Sequence, residues 1–486
     1  MGTSESTRLH TFGQRLKSFC LEATRVRVRH LGFAFFWVWM SLFMYQEASG
    51  SALPNPQMPL LVLTFSSALT LVFIVFLLPG TMAPISTKRR FQIGAALLVI
   101  AGTVLASPEG VLPLVGSNGA SVAGAFLAGI GMIFIMITWA EFYGSIGAYR
   151  AALYMPISLL VAIPLYYFIT AMPQPVSTLL MCCCPVLAIL LSTRNRNEVA
   201  RKDALACLSL TKQNKGERSP KSLLYLPWKI VLAAGLYGVI SGLVGSASHI
   251  SGQYSDLVQI GSAIVALLLL LGLMLFGNTS KHAGYTYKPT LFVMAAGCVA
   301  LVLSEGLHNQ FASVIIRCGY MLFYSLSWVM YSDISYRLNL ASHKVFASGR
   351  LFGSFGFAIG MGIGFVFSQS LHIDIQRPEI LAALTLLLLF FTAVFVLDEK
   401  DVLNAWGQLP RQVSPLAAIA SKAGLTPREL DVLELLAKGR SMPYIEEALN
   451  ISYSTVNSHT SKIYQKLGVH SKQELISFIE NETDCL

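Results

Sequence analysis

Charge is what this sequence has least of. Only 12% of its 486 residues are Asp, Glu, Lys or Arg, while 54% are hydrophobic. A soluble globular domain carries about 25% charged residues. The deficit excludes an ordinary water-soluble enzyme and points to a chain solvated largely by lipid. Metal-ligand spacing is also missing from the eight cysteines. The run Cys182-Cys183-Cys184 lies in an apolar stretch, where thiols pack as small hydrophobes. The sequence has no glycine loop ending in Lys-Ser/Thr, no nucleophile, base and acid in one soluble segment, and no receiver-like α/β segment. Catalysis, a metal, a cofactor and phosphorelay input are therefore not expected. A secretory signal is not expected either. The first thirty residues hold six Lys/Arg, and the first apolar run lacks a small-residue cleavage pattern, so it reads as a retained membrane span.

Long apolar runs are what the sequence has in abundance. A bilayer core of ~30 Å needs about 20 apolar residues per helix. Twelve runs qualify, near 31–48, 58–78, 91–107, 121–141, 149–170, 175–192, 228–248, 257–277, 290–305, 311–331, 349–371 and 379–397. The connections test the count. Those after even-numbered runs hold Lys88, Arg89 and Arg90, then Arg150, then a basic cluster from Arg194 to Lys221. Later ones hold Lys281 and Lys288, then Arg337, Lys344 and Arg350. Connections after odd-numbered runs are almost bare of Lys and Arg, Arg377 excepted. Positive charge stays on the cytoplasmic side, so twelve spans with both termini inside satisfy the rule along the chain.

The basic loop 193–227 divides the spans into two sets of six, 31–192 and 228–397, preceded by a basic segment at 1–30. This arrangement resembles the major facilitator superfamily, whose halves are repeats around a central site. In that superfamily the loop between spans two and three usually has Gly, then Asp four residues on, then Gly and paired basic residues. Gly80 and Lys88-Arg89-Arg90 fit the pattern, whereas Pro84 takes the Asp place and Thr87 stands near the second Gly. Gly349 and Gly353, then Gly356, Gly360 and Gly364, recur at four-residue spacing. Such spacing lets helices approach closely, within one bundle or across a dimer face.

Ionisable groups in lipid are costly and point to function by default. Arg317 lies well inside the tenth span, with Tyr320 and Tyr324 on the same helical face. These three and Glu141, at the inner end of the fourth span, are the candidate ligand-binding residues. Interfacial placement or structural ion pairing is the plainer reading, since span ends tolerate charge.

After Leu397 the composition changes. Residues 398–421 mix charge with Gly and Pro and read as a linker. From 422 a compact helical pattern begins. Thr426 can cap a helix with Pro427 first and Glu429 three residues on. A second helix is expected over 441–449, and a third after Ser452 to Leu467, stopped by Gly468. Ser471 caps a fourth, with Leu475, Ile476 and Ile479 as its apolar stripe.

Four short helices could form any small bundle, but three runs carry more. These are Leu425-Thr426-Pro427-Arg428-Glu429, Ser454-Thr455-Val456-Asn457-Ser458-His459 and Lys466-Leu467-Gly468-Val469-His470-Ser471-Lys472. With them, residues 420–482 resemble the LuxR-type helix-turn-helix almost continuously. The resemblance implies that the third helix enters the major groove of double-stranded DNA and the fourth makes a dimer contact. By position, Asn457, Ser458 and Ser461 would face base edges. Thr455, His459 and Lys462 would lie on or near phosphates, and Leu475, Ile476 and Ile479 would pair two copies. Asn and Ser are suited to base edges. The family commonly has Lys where this chain has Asn457. Residues 415–486 hold 7 Lys/Arg against 9 Asp/Glu, although 452–472 hold three Lys and no acid. Phosphate neutralisation dominates affinity, so one module alone is expected to bind weakly.

The expected fold is all-α: a twelve-helix major facilitator-like bundle followed by a four-helix LuxR-type domain. The expected function is one-component transcriptional regulation at the bacterial inner membrane. In this reading the bundle senses a small molecule or membrane state. DNA, lipid, a small-molecule ligand, a second copy and RNA polymerase are the implied partners. The alternative is a transporter with the helix-turn-helix as a regulatory appendage.

Overall fold

The computed structural model describes residues 24–49, 58–78, 84–107, 118–200 without 174 and 198, 226, 228–250, 256–276, 288–303, 308–337, 340–369, 377–395, 423–437, 441–449, 451–471, 473–475 and 478–479. The chain divides into two compact units, Met1–Asn404 and Ala405–Leu486.

The described residues of the first unit are helical with short connections. The long helices are α1 Phe33–Ser49, α2 Met58–Val72, α3 Arg89–Ala106, α4 Asn118–Thr170, α5 Val176–Thr193 and α6 Trp228–Ile250. They continue with α7 Asp256–Phe276, α8 Lys288–Leu303, α9 His308–Arg337, α10 Ser342–Gln369 and α11 Pro378–Phe395. Seven helices of this unit are long and apolar enough to cross a membrane, and shorter apolar helices cover the first, eighth, ninth and twelfth expected spans. The 53-residue α4 holds two spans, because Gly147 breaks it at φ 79, ψ 168. Only glycine adopts that backbone region without strain. The twelve crossings expected from hydropathy are thus all present as helix. Large apolar side chains such as Leu303, Phe292 and Phe390 face outward, as lipid contact requires.

The glycine spacing of α10 serves packing inside this bundle. A side chain at Gly356 would meet the backbone of Gly235, and one at Gly360 the backbone of Val239. From the other side, side chains at Gly238 and Gly242 would meet the backbones of Gly353 and Phe357. Two helices touch backbone to backbone, as small residues at four-residue spacing permit. Gly349 has a different neighbour, the ring of Tyr331.

The start of α10 differs from expectation. Lys344 and Arg350 read as loop cations in the sequence, yet α10 begins at Ser342 and contains both. Lys344 is 3% exposed. Its Nζ donates to the carbonyls of Ile74 and Val75 at 2.9 and 2.6 Å. Those carbonyls lie in a π-helical turn, Phe73–Leu77, that ends α2. A π-turn shifts the backbone hydrogen bonding, and a cation at a helix C-terminus is favoured there.

The second unit has its own core of Val432, Leu433, Leu436, Ile445, Val456, Ile463, Val469 and Leu475. Its helices are α12 Pro427–Ala437, α13 Met442–Leu449 and α14 Tyr453–Leu467. Residues 473–475 and 478–479 are also helical.

Candidate nucleic-acid interface and membrane-embedded clusters

The caps of the second unit fix where α14 starts and stops. At α12, Thr426 N–H donates to Glu429 Oε2 at 2.8 Å, and Glu429 N–H reaches Thr426 Oγ1 at 3.4 Å. This is the expected reciprocal cap. Lys466 Nζ donates to Glu429 Oε2 at 2.7 Å and to the Gly424 carbonyl at 3.1 Å, tying the end of α14 to the start of α12. The Lys466 ammonium and the Thr426 amide hold the Glu429 carboxyl down at about 2, well below the usual carboxylate range. Ser452 caps α14 by accepting from Thr455 N–H at 3.3 Å, and Gly468 ends it in the left-handed region at φ 67.

Between those caps α14 is two-sided. Val456, Thr460 and Ile463 are buried. Asn457, Ser458, Ser461 and Lys462 are exposed, and Thr455 and His459 are half-buried at the edge. At these spacings the four exposed residues share one face of a helix. They form a polar strip of small side chains and one cation.

The segment expected to pair two copies is placed differently. Leu475 is completely buried in the core of its own unit, so its side chain offers no surface to a partner. The expectation for Leu475 is corrected on that ground: the small core needs its apolar bulk. Ile479 packs partly against the same core. Ile476 lies outside the described residues.

In the first unit the candidate ligand residues fall into separate surroundings. Glu141 is 2% exposed. Its two oxygens accept the backbone N–H groups of Ile85 and Ser86, each at 2.8 Å. His343 Nδ1 lies 3.6 Å away. The short turn Ile85–Thr87 is held further by Arg196, whose Nε donates to the Ser86 carbonyl at 3.1 Å. Glu141 therefore anchors the connection between α2 and α3, where Pro84 stands.

Tyr320 and Tyr324 do come together, with ring centres 6.4 Å apart. The cation seated on Tyr324 is Arg350 of α10, 3.9 Å from the ring centre. Arg317 is half-buried on α9, on the Tyr320 side. Around Tyr324 lies an aromatic layer. Trp37 meets it edge-on at 5.3 Å and Trp328 tilts against it at 6.2 Å. Phe33, Tyr143 and Phe346 pack on Trp328. Sequence reading missed Arg350 and Trp37. Ser342 as a helix start was the available signal for Arg350, since it puts that residue two turns inside a span.

Residues 423–479 match the model of the family described as bacterial regulatory proteins, luxR family. They are 36% identical over 64 residues to the response regulator UvrY of Escherichia coli K12, covering 13% of this chain and 29% of that protein. They are 44% identical over 54 residues to the oxygen regulatory protein NreC of Staphylococcus aureus, covering 11% of this chain and 25% of that one. The chain thus spans under a third of either relative. The first unit is similar to solved major facilitator structures. A bacterial homologue of the iron transporter ferroportin superposes with TM-score 0.51 at 10% identity, over 78% of this chain and 98% of that one. The proton:xylose symporter XylE gives TM-score 0.50 at 15% identity, over 79% and 96%. Residues 423–479 are thus similar to the LuxR-type helix-turn-helix, and the first unit has a major facilitator-like fold. At these identities the structural likeness establishes the fold alone. LuxR-type domains are DNA-binding modules of transcriptional regulators, and seven helices of the first unit are long and apolar enough to cross a membrane. Neither family is generally enzymatic.

Proposed function

We propose that this protein is a one-component transcriptional regulator of the cytoplasmic membrane. The bundle senses a small molecule or membrane state, and the LuxR-type domain binds double-stranded DNA inside the cell. Both termini are cytoplasmic in this reading, supported by the Lys/Arg bias of alternate loops. The observation that carries it is the polar strip on α14, presented beside a buried apolar face in a LuxR-family domain.

In the complex, α14 lies in the major groove. Asn457, Ser458 and Ser461 face base edges, and Thr455, His459 and Lys462 contact phosphates. A strip with one Lys neutralises little phosphate charge, so two copies act together on a roughly two-fold site. A second copy and RNA polymerase complete the set of partners. A ligand shifts activity only as far as its affinity differs between two states of the bundle. The contacts of His343 with Glu141, and of Lys344 with α2, join elements from the two halves and supply one such arrangement.

Genome-wide DNA occupancy of the intact protein in its host tests this. The comparison is with a chain carrying Asn457→Ala, Ser458→Ala and Lys462→Ala. Discrete peaks lost in the variant are expected. Peaks that survive all three changes contradict the assignment of the strip.

A further inference from the structure

Arg350 is a cation inside a membrane-spanning helix, and among the described residues no carboxylate pairs with it. A charge in that position is costly and is normally matched by a partner. Tyr324 offers its ring face at 3.9 Å and Tyr320 a hydrogen bond. A ring face stabilises a guanidinium without neutralising it. The Nε of Arg350 has no hydrogen-bond partner. The Trp37 indole N–H, on a side chain only 4% exposed, has none either. Both groups are pure donors, so each of these two N–H groups lacks an acceptor.

A cavity adjoins it. Its volume is about 70 Å³ and its lining includes Trp37, Ser41, Leu159, Tyr166, Ala263 and Met321. Those residues come from α1, the second part of α4, α7 and α9, so the cavity lies between the two halves of the bundle. Trp37 belongs both to the cavity wall and, through its edge contact, to the Tyr324 layer. Along α9, Met321 of the cavity precedes Tyr324 by about one turn. The apolar space thus adjoins Trp37, and Arg350 lies one ring further on, across Tyr324.

We propose that the cavity and the Trp37–Tyr324–Arg350 layer form one binding site for a small monocarboxylate. The carboxylate takes the donors of Trp37 and Arg350, and an apolar body of a few carbon atoms fills the cavity. A carboxylate matches the planar fork of a guanidinium and accepts from two donors at once. An amide or an ammonium cannot do both. Arg350 rests on the ring of Tyr324. Binding draws it toward the acid, which couples the ligand to α10 and hence to Lys344 at the start of the same helix. This assignment rests on the sensing function proposed above and names the ligand's chemical class.

The test uses the full chain in lipid nanodiscs of zwitterionic phospholipid, at constant ionic strength. Butyrate, butyramide and butylammonium vary only the head group. Thermal unfolding and tryptophan fluorescence are followed against the concentration of each. Butyrate alone is expected to raise the unfolding temperature saturably and change the fluorescence. Arg350→Gln should weaken that response by more than about tenfold, the scale set by losing one partner of a buried charge pair. Trp37→Phe, which keeps an aromatic ring and removes the indole N–H, should weaken it less. Equal protection by butyrate and butyramide overturns the proposal. So does an Arg350→Gln protein that unfolds like the parent and still responds to butyrate, or a folded parent that ignores butyrate. DNA occupancy is scored separately: occupancy with no butyrate response removes the site and leaves the regulator standing. Butyrate binding without occupancy removes the regulator and leaves the site.

Discussion

The carboxylate of Glu141, in the first half of the bundle, lies 3.6 Å from Nδ1 of His343, in the second half. The same carboxylate holds the amides of Ile85 and Ser86. Glu141→Ala leaves two buried N–H groups without acceptors, and each such group costs about 1–3 kcal/mol. The full chain in detergent should lose several degrees of thermal stability. Glu141→Gln, which keeps one acceptor oxygen, should lose less. Equal stability of all three proteins would show that the connection after Pro84 does not depend on this residue.

Lys344 and α2 make a second link between the halves. Lys344→Met removes two charge-assisted hydrogen bonds to the carbonyls of Ile74 and Val75. Hydrogen bonds to charged groups contribute about 1.5–3 kcal/mol. The expected outcome is a lower unfolding temperature and faster proteolysis at the connections in the Met variant. An Arg replacement should not restore the parent's behaviour, because a planar fork cannot follow the point charge into the π-turn.

The backbone contact of α6 with α10 gives a packing test with an internal control. Gly360→Ala places a methyl group against the backbone of Val239, whereas Gly362 has open space around it. Overpacking costs typically about 1–3 kcal/mol. Gly360→Ala should therefore lower the yield of folded protein in size-exclusion chromatography, and Gly362→Ala should leave it unchanged. The opposite ranking would place the tight contact elsewhere.

In the LuxR-type domain, the Lys466–Glu429 pair sets a pH dependence. The folded Glu429 carboxyl sits at about 2. Its pKa is depressed, so its contribution is complete above the ordinary glutamate range. It is lost as pH falls from that range toward about 2. Circular dichroism of the isolated unit 405–486 should show stability falling through that window. Glu429→Gln should flatten this part of the profile and, by weakening the cap, cost about 1 kcal/mol near neutrality.

Asn457 is the position where the strip gives up a cation. Asn457→Lys should tighten binding to any duplex and steepen the plot of log affinity against log salt by about 0.9, one added phosphate contact. Sequence preference at the contacted base should relax at the same time. An unchanged salt slope would show that a cation at residue 457 does not approach the DNA.

Much of this molecule was legible in the sequence, for reasons that also mark where reading stopped. Hydropathy found all twelve crossings, and local chemistry placed the Thr426–Glu429 cap and the Ser452 and Gly468 ends of α14. The start of α10 was hidden because His343, Lys344 and Arg350 depress hydropathy where the helix begins. Their long-range partners, Glu141, the π-turn of α2 and Tyr324, leave no local pattern. Arg317 drew attention by its depth in an apolar run, but Tyr324 faces Arg350. Leu475 read as an apolar surface stripe because a short amphipathic segment cannot show which neighbour covers it.

The central claim is that the bundle governs the DNA-binding domain, and an exchange of the bundle tests it most directly. DNA occupancy of the intact chain is measured across varied growth conditions, beside a chain in which residues 31–397 are replaced by an unrelated membrane anchor. The account predicts peaks for both proteins, with occupancy varying by condition only in the intact chain. The same condition dependence in the exchanged chain would contradict it and reduce the twelve-span bundle to a tether.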